Sequence, residues 1–99
     1  MEISIIPIGT KSTSTSDYVA AAIKVLEREK TKHEITSMGT IVEGELRDLF
    51  KLAEKMHEAV FSKGVARVIT NIHLDERRDK TLSIESKLKS IREKLTERG

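Results

Sequence analysis

Cysteine is absent from this chain, and its absence excludes disulfides, thiol nucleophiles and thiolate metal ligands. Aromatic residues are almost as scarce: Tyr18, Phe50 and Phe61 make up 3% of the 99 residues. The core must therefore be aliphatic, with less to gain from burial per residue than a ring-rich core. No apolar run is long enough to span a membrane. Met1-Glu2-Ile3-Ser4 leads straight into a strand pattern and lacks the basic and apolar regions of a leader. A cytoplasmic protein without a membrane partner is expected. Nor does one sign of charge dominate, since 18 Lys and Arg oppose 16 Asp and Glu. The basic surplus lies in residues 76–99, eight basic against five acidic, interleaved with glutamates. A nucleic-acid binder carries a less diluted basic face, so no nucleic-acid partner is expected.

A chain of this length makes one domain, 1–99, with no linker or repeat. A small aliphatic core makes self-association a natural route to further burial. Residues 2–8 form a β-branched strand with Ile3 and Ile5 on one face and Ile6 and Ile8 on the other, so both faces call for cover. Pro7 has no N–H to donate, which points to an edge position or a bulge. Gly9 ends the strand. Ser14 or Ser16 is placed to cap a helix from Asp17 to about Lys30, with Val19, Ala22, Ile23 and Leu26 as its apolar stripe.

His33 to Ser37 alternates as a strand, Gly39 permits a turn or bulge, and Thr40 to Gly44 makes the next strand. Leu46, Leu49, Phe50, Ala53, Met56, Val60 and Phe61 repeat at the helical period from Glu45 to Ser62, with Gly64 as the stop. Val65 to Leu74 is the fourth strand. Leu82 to Glu97 closes the chain as a helix whose Ile84, Leu88, Ile91 and Leu95 form a narrow seam. The order β-α-β-β-α-β-α predicts an α+β class, ferredoxin-like sandwich with a four-stranded antiparallel sheet and an extra C-terminal helix. Both crossover helices lie on one face, leaving the other for a subunit, the last helix, or both.

Three stretches carry polar groups at the ends of separate elements, which is what a small-ligand pocket needs. Thr10 to Ser16 holds six hydroxyls in seven positions before a helix N-terminus, where free N–H groups favour an anion or polar ligand. Gly9-Thr10-Lys11-Ser12 lacks P-loop spacing. Glu43 alternates onto the same face as Ile41; a buried carboxylate needs either a ligand amine or ring nitrogen, or an internal partner such as Arg67, Arg77 or Lys80. Arg77-Arg78-Asp79-Lys80 could neutralise a phosphate, but the internal aspartate fits a structural or interface role better. His33, His57 and His73 lack metal-ligand spacing, so no metal is expected. No acid–base pair or activated nucleophile can be assembled, which argues against an enzyme.

Read together, Pro7-Ile8-Gly9, Ser12-x-Ser14-x-Ser16-x-Tyr18-Val19, Met38-Gly39-Thr40-x-x-Glu43-Gly44 and Arg77-Arg78-Asp79-Lys80 resemble the small thiamine-binding family related to YkoF over nearly the whole chain. The resemblance implies a ferredoxin-like fold, dimers that pair into tetramers, and binding of thiamine or its hydroxymethylpyrimidine part without a reaction or cofactor. It places Ser14, Ser16, Met38, Thr40 and Glu43 near the ligand, and Arg77, Arg78, Asp79 and Lys80 at a subunit contact or pocket rim. An aminopyrimidine suits such a set, because its exocyclic amine can donate to a carboxylate while hydroxyls meet the ring nitrogens. Stacking surface is the scarce commodity, limited to Tyr18, Phe50, Phe61 and Met38. The alternative is an ACT-like regulatory module sensing an amino acid or anion at a subunit interface. A structural interaction protein comes third.

Overall fold

The chain runs β1 (Glu2–Ile8), α1 (Ser16–Arg28), β2 (His33–Ile35), β3 (Thr40–Val42), α2 (Leu46–Phe61), β4 (Arg67–His73) and α3 (Ile84–Glu97). This is a computed structural model, and it describes residues 1–10, 15–79 and 83–97. The strands form one antiparallel sheet in the order β2-β3-β1-β4. That order, with α1 and α2 as the two crossovers, is the ferredoxin-like arrangement.

Cross-strand partners share a face, so the register sorts the side chains. Ile3 pairs with Thr40 and Ile72, Ile5 with Thr70 and Pro7 with Val68, and this set faces the helices. Glu2, Ser4, Ile6 and Ile8 line the open face beside His73, Asn71, Ile69 and Arg67. The core between sheet and helices is aliphatic: Ile3, Val42, Ile23, Leu26, Met56 and Val60 among others. The open face is apolar around Ile6, Ile8 and Ile69, where Ile6 is 45% exposed, and again at Ile41, the partner of Glu2.

Pro7 differs from its expected edge strand, because β1 is central. The register with β3 covers only Glu2 and Ile3, whereas the ladder with β4 runs unbroken from Glu2 to Ile8. Pro7 therefore stands beyond the reach of the short β3 and has a strand neighbour on one side. The β2–β3 hairpin is itself shorter than its apolar pattern. Thr36 Oγ1 accepts the Met38 and Gly39 amides at 3.2 and 3.1 Å and donates to the Gly39 carbonyl at 2.7 Å, so a side chain closes the turn. Gly39 is needed for close approach: a Cβ there would lie 3.0 Å from the carbonyl oxygen of Ile3.

The helix faces are also shifted from the sequence reading. Thr15, not Ser16, occupies the cap position of α1, and it makes no side-chain capping bond; Ser14 lies outside the described residues. Leu52 joins the buried stripe of α2, while Leu46 and Phe50, expected inside, are exposed. They line a hollow shared with Leu74 and the segment that follows β4. The seam of α3 is the largest departure from the core. Leu88, Ile91 and Leu95 are 40%, 55% and 64% exposed, and the radius of gyration is 15.7 Å. A compact domain of this length has about 13 Å, so α3 stands away from the body.

Candidate functional site

The end of β3 is the point where four parts of the chain meet. Met1 extends the sheet there, its amine donating to the Val42 carbonyl at 2.9 Å while the Val42 amide returns to Met1 at 2.7 Å. Burial pushes the Met1 amine below its ordinary range, against the attraction of Asp75. The Glu43 amide donates to the Lys32 carbonyl at 3.0 Å, adding one rung to the hairpin. Glu43 thus emerges between the end of α1, the start of α2 and the root of α3.

Its carboxylate is divided between two partners. Oε1 accepts the backbone N–H of Ile84, the first residue of α3, and Oε2 lies 3.5 Å from Lys32 Nζ. A carboxylate at a helix N-terminus satisfies a free N–H and meets the positive end of the dipole. Lys32 also reaches Glu85 at 3.2 Å, and the hydrogen bond to Glu85, then the charge of Glu43, hold its amine above the ordinary lysine range. Lys87 pairs with Asp75, whose carboxyl is held below its ordinary range first by that hydrogen bond and then by the charge. Ser83 and Ser86 exchange backbone-to-side-chain bonds of 3.0 Å, a reciprocal cap on α3.

Of the internal partners considered for Glu43, Arg67 and Arg77 are not among those found, and Lys80 lies outside the described residues. The hairpin register contains the reason. His33 opposes Val42, so Lys32 and Glu43 are the next cross-strand pair, a position legible once the turn is centred on Ser37 and Met38. The serine cap was legible too, as the spacing Ser-x-x-Ser before the α3 seam.

The remaining predicted ligand residues stand elsewhere. Ser16 opens α1 and lines a groove of about 610 Å³ with Val19, Ile23 and Ile35. Met38 is at the hairpin tip, 82% exposed. Thr40 is buried on the helix-bearing face of β3, opposite in direction to Glu43. A helix of 13 residues is about 20 Å long, and Glu43 bonds beside its far end; one protomer therefore does not bring Ser16 and Glu43 around one small ring.

Arg77 holds Asp79 in a bidentate pair at 3.0 and 2.7 Å, a bond that keeps its guanidinium above the ordinary range. Arg78 reaches Glu76 at 3.3 Å. Within the described part of the run Arg77 and Asp79 neutralise each other, and Arg78 is met by Glu76 just before it.

Glu43 borders two hollows. One, about 130 Å³, is bordered by Met1, Asp75, Ile84 and Lys87; the other, about 340 Å³, is lined by Lys30, Lys32, Lys51 and Lys55 together with Glu29 and Asp48. The second lies within the usual range for small-ligand sites, roughly 300–1,000 Å³. Among the described residues no cluster of three or more His, Asp or Glu is arranged to hold a metal ion, and no described helix is long and apolar enough to cross a membrane.

Comparison with known proteins matches this architecture. The chain is 48% identical over 98 residues to the UPF0045 protein YqgV of Bacillus subtilis, covering 95% of this chain and 94% of that one. The crystal structure of protein MJ1052 from Methanocaldococcus jannaschii superposes with a TM-score of 0.83 at 43% identity, over 91% of each chain. A Thermotoga maritima protein, proposed to serve thiamine biosynthesis or salvage, shares the fold at 18% identity, with a TM-score of 0.77 over 91% of this chain and 94% of that one. A family model described as thiamine-binding protein matches residues 1–92, nearly the whole ferredoxin-like unit including the root of α3; the chain belongs to the thiamine-binding protein family.

Proposed function

We propose that this chain is a non-enzymatic, homo-oligomeric binding protein for thiamine or its hydroxymethylpyrimidine part, acting in the cytoplasm. The family match over residues 1–92 carries this reading. The geometry is compatible with it at Glu43. Its side chain is 23% exposed, and a carboxylate offers about four acceptor sites, so two internal partners leave room for a ligand amine. Ser14, Ser16, Met38 and Thr40 orient or cover the ring in this proposal, with Arg77, Arg78, Asp79 and Lys80 at the rim or subunit contact. Because the serine end and Glu43 are a helix length apart, neighbouring subunits of a dimer or tetramer supply the two halves.

Calorimetric titration with thiamine, and separately with hydroxymethylpyrimidine, tests this directly. Saturable binding at a fixed number per subunit is expected, together with a stabilisation of about 2.7 kcal/mol at a hundredfold excess over Kd. Glu43→Gln keeps a cap for α3 but cannot accept the amine as a charged group, and should weaken binding about tenfold or more. Absence of heat at several temperatures for both ligands removes the proposal. Saturation by an amino acid or phosphate instead selects the ACT-like alternative.

A further inference from the structure

β4 lacks every device that usually blunts the edge of a sheet. It runs seven residues, Arg67–His73, paired with β1 along its whole inner side, while the order β2-β3-β1-β4 leaves its outer side without a strand. Every second residue of such a strand aims its N–H and C=O outward, a template for another chain unless proline, lysine, a bulge or shortness prevents it. β4 holds no proline or lysine, and its ladder with β1 is unbroken. The opposite edge is blunted, since β2 is three residues long with the charged Glu34 at its middle.

Side-chain cover stops at the same line. Within one row of the helix-bearing face, Thr40 and Ile3 are 5% and 2% exposed, but Ile72, next to Ile3, is 39% exposed. The β4 side of α2 carries Phe50, His57 and Phe61 at helical spacing. Phe50 borders the hollow at Leu74, and His57, edge to face with Phe61, meets Thr70 Oγ1 at 2.6 Å. Both phenylalanines of the chain therefore lie on the flank that overlooks the bare edge.

We propose that β4 pairs antiparallel with β4 of a second copy across a two-fold axis at Thr70, joining the two sheets into one. This rests on the self-association in the proposed function and names its interface. The register follows from the strand itself. A two-fold axis normal to the sheet keeps each side chain on its own face, and only the register centred on Thr70 pairs Arg67 to His73 from end to end. On the helix-bearing face, Ile72 then meets the partner's Val68. On the open face, the row of Glu2 and His73 continues into the partner's Arg67. His73 Nδ1 takes one oxygen of Glu2 at 3.2 Å, and among the described residues the other oxygen has no partner. Arg67, a permanent cation, meets no carboxylate among the described residues of its own protomer. The pairing thus brings an unmatched guanidinium to a carboxylate at both ends of the interface. It also sets the partner's Ala66 beside Leu74, so the hollow floored by Leu46, Phe50 and Leu74 gains the partner's Phe61 as a wall. The apolar patch of Ile6, Ile8 and Ile69 stays on the open face, so this contact is distinct from packing two sheets face to face.

Amide exchange resolved by NMR tests this on the wild-type chain. In the edge-paired dimer both alternate sets of β4 amides, those bonded to β1 and those directed outward, should exchange slowly. Packing through the open face or through α3 leaves the outward set as fast as a loop, and that result in a protein of dimeric or higher mass overturns the proposal. Ile72→Lys, at an exposed site, sets an ammonium against the partner's Val68. It should lower the mass in light scattering and free the outward amides while the circular dichroism stays native. A native variant of unchanged mass with slow outward amides overturns the register; if the variant does not fold, the wild-type exchange decides. A monomeric wild type removes the interface and the self-association together. Thiamine titration of the same sample judges binding separately, so saturable binding beside fast outward amides removes the edge and leaves the function standing.

Discussion

Glu43 and Ile84, 41 residues apart, are joined by one hydrogen bond in which the strand-end carboxylate caps the last helix. This bond couples the candidate ligand residue to the placement of α3. Glu43→Ala should therefore cost about 1–2 kcal/mol and speed amide exchange in the first turns of α3. Glu43→Gln should keep most of that protection while losing ligand affinity. Equal protection in Ala and Gln variants would mean that the cap contributes nothing.

Acid should loosen the same root. Asp75 has a folded pKa below its unfolded value, so its contribution is complete above about pH 4 and disappears as the pH falls through the lower, folded value. Glu29, held down by Lys55, behaves in the same direction. Both pairs are exposed, and salt should shrink the effect. Hydrogen exchange of α3 between pH 6 and pH 3 should show the loss in the wild type and a smaller one in Asp75→Asn. An identical pH response in the two proteins would exclude the Asp75–Lys87 pair as its source.

The hairpin and β1 meet too closely for a side chain at residue 39. Gly39→Ala sets a methyl group against the backbone oxygen of Ile3, at 3.0 Å, and backbone has little room to yield. Destabilisation of about 1–3 kcal/mol is expected in urea unfolding. A neutral result would show that the hairpin shifts freely relative to β1.

Lys30 offers a gain. It ends α1 at φ +54°, a left-handed position that glycine occupies at less cost, with the Thr31 amide closing onto Leu26 at 3.0 Å. Lys30→Gly should stabilise by about 0.5–1 kcal/mol, the left-handed penalty less the entropy glycine adds to the unfolded chain. Loss of stability would instead reveal a contact made by the lysine side chain, which borders the charged hollow beside Glu43.

Element order was legible because helical and strand periods are local properties of the chain. The stripe of α2 was read one side too far: Leu46 and Phe50 keep the apolar period, yet Leu52 takes the buried place. Period identifies a helix and its apolar half, but the neighbouring layer decides which edge of that half is covered. Likewise Pro7 correctly marked a place with no second strand partner, while the strand that carries it turned out to be central. The hydroxyls, Met38 and Glu43 were grouped by the family pattern, whereas the protomer separates Ser16 from Glu43 by the length of α1.

By itself the sequence determined the absence of disulfides, the aliphatic character of the core, the order of four strands and three helices, and the family resemblance. These depend on composition, on spacing along the chain and on short motifs. Only the tertiary structure decided that Glu43 caps Ile84, that Lys32 is its cation, and that Phe50 and Leu95 remain uncovered. Those facts join or separate residues far apart in the chain, and such distances are set by how the layers pack, not by any local period.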